Sequence, residues 1–172
     1  MRDEPIHLVP YDPSWPRQFE EERARLACAL SPWLAGTIEH VGSTAVPGLM
    51  AKPTIDIMAG VQDLASSLDA RAALHELEYM YFPYRPDVMH WFCKPSPTRR
   101  THHLHLVPVQ SGLWTDRLAF RDYLRSSPAA AAEYAELKRA LAARHQYDRE
   151  AYTAAKSDFV RSILDCARGR PG

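Results

Sequence analysis

The sequence has little of several features that would point to particular protein classes. Its three cysteines, Cys28, Cys93 and Cys166, are far apart, include no C-x-x-C pair and indicate no disulfide framework. This usage predicts a reduced, cytoplasmic protein. No stretch approaches the roughly 20 apolar residues of a membrane span, and the start, "MRDEPIHLVPYDPSW", has no apolar signal core, so no membrane partner is expected.

An excess of charge of one sign is also absent, because 21 Lys and Arg residues balance 21 Asp and Glu residues. This balance argues against a protein that coats polymeric nucleic acid or an acidic membrane. It is compatible with a local basic pocket for one phosphorylated ligand. With 172 residues, 46% hydrophobic and 24% charged, the chain is predicted to form one domain over residues 1–172, with frayed ends at 1–4 and 167–172.

Hydrophobic periodicity, punctuated by proline and glycine, predicts strands with helices between them. Strands are predicted at residues 6–12, 36–43, 52–61 and 101–109, with a strand or hairpin at 81–95. Helices are predicted at residues 17–34, 63–80, 113–127, 128–145 and 148–168. This order indicates an α/β (α+β) fold with a small mixed β-sheet, flanked by helices, and a helical C-terminal third.

The stretch "EHVGSTAVPGLMAKPTIDIMAGV" combines a small-residue loop with a strand that carries one acid. Gly42 lets backbone N–H groups approach phosphate oxygens, and the hydroxyls of Ser43 and Thr44 are candidate donors to the same oxygens. Asp56 is a candidate ligand for a divalent metal that bridges the phosphates, and Lys52 would neutralise further phosphate charge. The alternatives are a turn with a helix cap for the loop and a hydrogen-bonded or ion-paired structural role for Asp56.

The segment "THHLHLV" places His103 and His105 on one face of a predicted strand, because side chains two residues apart point the same way. If this strand lies beside the strand of Asp56, both imidazoles converge on that carboxylate. Two imidazoles and a carboxylate suit Zn²⁺, Mn²⁺ or Fe²⁺ better than Mg²⁺. The histidines are also candidates for direct phosphate binding and general acid–base catalysis, and the alternative is that they bind no metal.

The C-terminal helices supply candidate groups for binding a phosphorylated ligand. Tyr152 and Lys156 are four residues apart and share a helical face, so they are predicted to form a pocket wall from which Lys156 reaches a phosphate or Asp56. The alternative is a lysine that extends over the edge of the core. Arg121 is predicted to bind phosphate or to form a structural ion pair. Lys138 is a further candidate for phosphate binding, within an alanine-rich helix that otherwise reads as core packing.

Several of these stretches resemble the GrpB family, a group similar to nucleotidyltransferases. The resemblance is carried by "HVGSTAVPGLMAKPTIDI" and extends through "YDPSWPRQFEEE", "RTHHLHLV", "LAFRDYLRSSP", "YAELKRALA" and "AYTAAKSDF", which together span nearly the whole chain. It implies a nucleotidyltransferase-like fold in which Gly-Ser starts a helix and binds nucleotide phosphates. It also implies two metal-binding carboxylates at alternate positions of the next strand. A similar domain is found joined to dephospho-coenzyme A kinase in some proteins.

One position departs from the pattern that the resemblance implies. Asp56 stands at the first acidic position, but Met58 stands at the second, and a thioether is a poor ligand for Mg²⁺. The sequence therefore predicts a protein that binds a nucleotide or another phosphorylated small molecule, with metal-dependent nucleotidyl transfer as the first reaction to consider. The candidate metals are Mg²⁺, Mn²⁺ and Zn²⁺. The alternatives are a non-catalytic module that binds a nucleotide or a coenzyme A precursor, an interaction domain, and a metal-dependent phosphohydrolase.

Overall fold

A computed structural model describes residues 5–169, so most of the segments predicted to be frayed, residues 1–4 and 170–172, lie outside the described residues. The strands are β1 (Leu34–Val41), β2 (Ile55–Val61), β3 (Met80–Phe82), β4 (His90–Pro95) and β5 (Arg100–Pro108). The α-helices are α1 (Trp15–Leu30), α2 (Leu64–Ser67), α3 (Arg71–His75), α4 (Gly112–Ser126), α5 (Pro128–Arg144), α6 (Arg149–Ala154) and α7 (Ser157–Ala167). Short 3₁₀ turns lie at Ser43–Ala45 and Leu68–Ala70.

The five strands form one mixed sheet in the order β1-β2-β5-β4-β3. Strands β2 and β5 pair in parallel, and the other neighbouring pairs are antiparallel. The register places Asp56 opposite His103 and Met58 opposite His105. The predicted mixed sheet with flanking helices and a helical C-terminal third is therefore confirmed.

One face of the sheet is apolar and packs against α1 and α3. Its strands contribute the fully buried side chains of Ile55, Ile57, Leu104 and Leu106. Helix α1 contributes Phe19, Leu26 and Leu30, at the helical spacing that its sequence predicts. Each large apolar side chain buried in this way stabilises the fold by roughly 1.5–3 kcal/mol. His102 belongs to this face, and His103 belongs to the opposite one, because neighbouring residues of a strand alternate.

The opposite face carries the polar residues Asp56, His103 and His105, and helix α4 covers part of it. Met58 and Val107 of the sheet pack there with side chains of α4, namely Leu113, Trp114 and Leu118. Helices α5 and α7 join α4 in another cluster, formed by Leu124, Tyr134 and Ile163 with Val46 and Leu49 of the loop before β2. The C-terminal helices therefore lie beside the loop that begins at Gly42.

Three predicted elements differ from the structure. Residues 6–12 form no strand, because the only pairing of this stretch within the described residues is an isolated bridge from Val9 to Ala51. The helix predicted at 63–80 is broken into α2, a 3₁₀ turn and α3. Side chains there bond to the local backbone, as when Asp63 caps α2 and Ser67 donates to the carbonyl of Leu64, and such bonds compete with a continuous helix.

The helix predicted at 148–168 is divided at residues 155–156 into α6 and α7. Asp148 caps the first of these helices by accepting a hydrogen bond from the backbone N–H of Ala151. No helix within residues 5–169 is long and apolar enough to cross a bilayer.

Candidate functional site

Asp56, His103 and His105 come together at the centre of the sheet, as predicted for neighbouring strands. Because β2 and β5 pair in parallel, the three side chains share one face. The His103 Nδ1 and Asp56 Oδ1 atoms are 2.9 Å apart and form a hydrogen bond. His105 Nε2 is 4.0 Å from the same oxygen, and His105 Nδ1 is 3.4 Å from the sulfur of Met89. Sheet pairing therefore creates a carboxylate–imidazole pair with a second imidazole beside it.

The surroundings of this group keep Asp56 ionised and His105 neutral. Burial raises the pKa of Asp56, but hydrogen bonds and charge from His103 and His105 outweigh burial, so the pKa lies far below its usual value. Burial, followed by the charge of Arg117, lowers the pKa of His105 to about 3 despite the opposing effect of Asp56. The Asp56 side chain is closely surrounded by protein groups but is still 31% exposed, so a bound ligand would reach it.

His103 is held by one ring nitrogen and presents the other. Its Nδ1 bonds to Asp56, whereas its Nε2 is buried and has no hydrogen-bond partner within residues 5–169. The ring lies against Trp91, with centroids 5.2 Å apart. A buried polar atom without a partner is costly, and a carboxylate bonded to one imidazole nitrogen orients the other nitrogen toward a ligand. Within the pair, His103 Nε2 is therefore the ring nitrogen that is not bonded to the carboxylate.

Gly42 occupies a place where only glycine fits. Its φ is +72° and its ψ is −172°, and a Cβ atom built there would lie 2.5 Å from Asp56 Oδ2. The backbone of Gly42 thus lies directly against the carboxylate. The 3₁₀ turn Ser43–Ala45 follows at once, so the predicted Gly-Ser loop and the predicted acid are in contact.

The two hydroxyls after Gly42 have different environments. The Ser43 hydroxyl lies close to the Tyr134 hydroxyl; burial raises the pKa of Tyr134, and the nearby Ser43 hydroxyl offsets part of the increase. The Thr44 hydroxyl is buried, lies 2.9 Å from His40 Nε2, and is 3.4 Å from the Thr54 carbonyl. Ser43 therefore faces the C-terminal helices, whereas the side chain of Thr44 holds the base of the loop.

Three lysines approach the same region from the loop before β2 and from the C-terminal helices. Lys156 lies over the ring of Tyr152 at 4.2 Å, and burial, followed by the charge of Lys52, lowers its pKa to about 8 while Asp56 opposes the change. Lys138 is buried, donates to the Met50 carbonyl, and has its pKa lowered to about 7 by burial and by Lys156. The lysines thus repel one another close to the Asp56 carboxylate.

Arg121, the remaining predicted phosphate ligand, is engaged by protein groups. Its Nη1 atom is 2.6 Å from Glu39 Oε2 and 3.1 Å from the His40 carbonyl, and its Nε atom is 2.8 Å from Asp122 Oδ1. The structure thus favours the structural ion pair, the alternative that the sequence left open, and this pair joins α4 to β1.

Two side chains of the site were not predicted. Arg117 of α4 acts electrostatically on both Asp56 and His105, and its Nη2 atom is 3.8 Å from the Met89 sulfur. Tyr134 of α5 contacts Ser43 and lies under the Lys138 ammonium at 4.9 Å. The i, i+4 spacing of Arg117 with Arg121 and of Tyr134 with Lys138 was the available signal.

The three predicted metal ligands contact one another and do not surround a common point. His103 bonds directly to Asp56, and His105 is 4.0 Å away from the same oxygen. Within residues 5–169 no group of three or more His, Cys, Asp or Glu side chains is placed to hold a metal ion. Met58, at the second acidic position, is fully buried in the apolar cluster under α4. These positions do not fit a three-ligand centre, and metal binding by this set stays a prediction.

Comparison with known proteins gives a consistent family assignment. The family model described as GrpB protein matches residues 5–166. A UPF0157 protein of Pseudomonas aeruginosa is 44% identical over 169 residues, which cover 94% of this chain and 67% of the relative. The crystal structure of the conserved protein GrpB from Enterococcus faecalis superposes with a TM-score of 0.84 at 33% identity, covering 94% of this chain and 96% of that one.

A further similarity connects the chain to part of a larger protein. A dephospho-CoA kinase of Mycolicibacterium paratuberculosis is 31% identical over 186 residues. The matched region covers 91% of this chain but only 44% of the kinase. The relationship therefore concerns one portion of that protein.

Proposed function

The chain belongs to the GrpB family, and from this premise and the geometry of its site we propose that it binds a phosphorylated small molecule, with a nucleotide as the first candidate. The phosphate lies at the Gly42–Ser43 turn, between the Asp56–His103 pair and the lysines of the C-terminal helices. The reaction is inferred from this ligand and from the residues that hold it.

The concentration of lysine charge beside a glycine turn carries this proposal. Burial, followed by the charge of Lys52, lowers the pKa of Lys156 to about 8, and burial, followed by the charge of Lys156, lowers that of Lys138 to about 7. Burying mutually repelling cations is costly, and a bound anion relieves that cost. Phosphate oxygens would accept from the backbone and the hydroxyl of Ser43, while the ammonium groups neutralise the phosphate charge.

The Asp56–His103 pair supports transfer chemistry at the bound phosphate. Asp56 orients the imidazole through Nδ1, so His103 Nε2 is placed to exchange a proton with the attacking or the leaving group. The lysines stabilise negative charge that develops on the phosphoryl oxygens. Nucleotidyl transfer to a small acceptor is the reaction that this arrangement supports best.

Binding without catalysis is a second candidate function, and Met58 favours it. A carboxylate at this position would complete the pair of acids that metal-dependent nucleotidyl transfer uses, but Met58 is apolar and fully buried. In that case the site retains its ligand and the Asp56–His103 pair serves recognition. Product analysis after incubation with the bound nucleotide separates the two candidates.

A thermal-shift screen tests the proposal directly. The ligands are nucleoside mono-, di- and triphosphates and coenzyme A precursors, the latter because of the similarity to a dephospho-CoA kinase. Each ligand is tested alone and with Mg²⁺, Mn²⁺ or Zn²⁺, since Asp56 and the two histidines are predicted metal ligands. A ligand present at 100 times its Kd stabilises the native state by about 2.7 kcal/mol.

Two variants connect the binding to the site. Lys156→Gln should weaken binding, whereas Arg161→Gln should not, because Arg161 lies in the neighbouring helix with a side chain that is 73% exposed. Both changes remove one positive charge. If no phosphorylated compound raises the melting temperature, or if both variants weaken binding equally, the proposed site is wrong.

A further inference from the structure

Three aromatic rings continue the site across the sheet on the side away from the lysines. Phe82 on β3 contacts Trp91 on β4 with centroids 5.6 Å apart, and Trp91 contacts His103 on β5 at 5.2 Å. The pairing registers place all three side chains on the face that carries Asp56. The row Phe82–Trp91–His103–Asp56 thus runs over four strands, with apolar rings at one end and the carboxylate at the other.

The Trp91 ring is held in place and accepts a planar partner. It packs against the buried cluster that contains Met58 and Met89, which fixes its position. The guanidinium carbon of Arg100 lies 5.2 Å from the ring centroid, so the ring already contacts a planar cation. The surroundings are accessible, because Met80 on the same face of β3 is 41% exposed and Tyr84 just after β3 is 55% exposed.

We propose that Trp91 is the stacking platform for a planar heteroaromatic ring of the phosphorylated ligand. This inference rests on the proposed function and specifies the class of ligand. Trp91 lies two strands from Asp56, and strands in a sheet are about 4.8 Å apart, so the ring and the phosphate are separated by roughly 10 Å. A nucleoside phosphate spans that separation, whereas pyrophosphate or a sugar phosphate leaves the ring position empty.

The other ring pair beside the Gly42 turn is less suited to this role. Phe19 and His40 stack on each other with centroids 4.8 Å apart and an interplanar angle of 10°. Both side chains are about 6% exposed, and His40 is also bound by Thr44. Each of these two rings covers the face of the other, whereas Trp91 is tilted against Phe82 and His103, by 58° and 54°, and the group over its ring is the Arg100 guanidinium, which a base would displace.

Binding measurements with and without a base test the inference. Calorimetric titrations compare adenosine and uridine diphosphates with pyrophosphate and ribose 5-phosphate. The nucleotides should bind at least fivefold more tightly, since stacking of one base on an aromatic side chain contributes about 1–3 kcal/mol. Trp91→Leu, which keeps an apolar side chain but removes the ring, should abolish this preference and leave the Kd values of the two base-free probes within about twofold. Trp91→Phe should retain most of the preference for nucleotides over the base-free probes.

A fluorescence measurement keeps the test independent of affinity. Nucleotide should quench tryptophan emission in the wild type and in Trp33→Phe, and the quenching should disappear in Trp91→Phe. Equal affinities for nucleotides and base-free probes would contradict the role of Trp91 as a stacking platform. An equal loss of affinity for all four ligands in Trp91→Leu would also contradict that role. Neither result would contradict the proposed phosphate site. Absence of binding by every probe overturns the proposed function and this inference together.

Discussion

Gly42 illustrates how much of the site depends on one missing side chain. Its backbone conformation is one that residues with a Cβ rarely adopt, and its hydrogen stands where a Cβ would press against the carboxylate of Asp56. The turn is therefore matched to the acid, and neither can be altered without displacing the other.

Gly42→Ala should destabilise the fold by about 1–3 kcal/mol and weaken phosphate binding, because strain and the 2.5 Å contact with Asp56 Oδ2 act together. Gly48→Ala is the matched control, since Gly48 also has a positive φ, +79°, but a Cβ atom added there would meet nothing within 4 Å. Urea denaturation and ligand titration measure both effects. Equal losses of stability and of affinity in the two variants would contradict the proposed contact.

Lys156 gives the site a dependence on pH. Its pKa of about 8 means that the ammonium is charged below that pH and neutral above it. Sulfate keeps one charge state over this range, so its affinity should fall as the pH rises from 7 to 9, with Lys138 titrating near pH 7 and Lys156 adding a fall of up to about tenfold per pH unit above pH 8. Lys156→Arg should flatten the profile, because a guanidinium stays charged. An unchanged profile in this variant would assign the titration to another group.

Some residues of the candidate site could be predicted from the sequence because they stand in short local motifs. Gly42, Asp56, His103 and His105 stand in short motifs whose spacing has a chemical meaning. Arg117 and Tyr134 were missed, because their i, i+4 spacing with Arg121 and Lys138 indicates only a shared helical face, and their approach to the site depends on how α4 and α5 pack. The contact of the Thr44 hydroxyl with His40 also depends on tertiary packing and could not be predicted from the sequence. The His40 side chain lies on the face of the sheet opposite Asp56.

At the scale of elements, α1 is joined to β4 by a buried charge pair that amphipathic periodicity does not predict. Lys94 Nζ is 2.6 Å from Glu22 Oε1, and the Tyr79 hydroxyl donates to the same oxygen at 2.9 Å. The Lys94 and Glu22 side chains are only 9% and 5% exposed. The helix is thus fixed to the sheet by a specific polar contact as well as by its apolar stripe.

Lys94→Met should destabilise the protein by about 3–5 kcal/mol, because it leaves Glu22 buried without its cation. The double change Glu22→Met with Lys94→Met should cost less than Lys94→Met alone, since no unpaired charge remains. Arg23→Met, which removes an exposed pair with Glu20 on the same helix, should stay within about 0.5 kcal/mol of the wild type. Additive costs in the double variant, measured by urea denaturation, would rule out the coupling.

Element boundaries were predictable where one periodicity dominated. Strand β5 lies within one residue of its predicted bounds, whereas α1 ends at Leu30, four residues before the predicted end, and β2 begins at Ile55, three residues after the predicted start. The stretch at 6–12 has the composition of a strand, but among the residues that the structure describes it forms only one β-bridge, and a strand needs a paired neighbour. The segment 63–80 has helical spacing, yet serine and aspartate side chains bond to its own backbone and divide it.

At the scale of the whole molecule, buried neutral histidines set the stability in acid. Burial is the main reason that the pKa values of His40 and His102 are lowered to about 4 and that of His105 to about 3. The unfolded chain takes up these protons near pH 6.5, whereas the folded chain does not.

The urea midpoint should accordingly fall between pH 6.5 and pH 4, because the free energy of unfolding decreases by up to about 1.4 kcal/mol per pH unit for each such histidine. His105→Gln should reduce this slope, and His75→Gln, a change at an exposed position, should leave it unaltered. A midpoint that is the same at pH 7 and pH 4.5 would show that these imidazoles are not buried as described.

The alternation of β5 has a practical consequence for spectroscopy. His102 and His103 are neighbours in sequence, but the sheet separates their rings, and His102 is coupled to Thr101 and to the charges of Lys94 and Glu22. In a nuclear magnetic resonance experiment with labelled histidine, a ligand at the phosphate site should shift the ring signals of His103 and leave those of His102 in place. One strand thus supplies both the reporter and its internal reference, one residue apart.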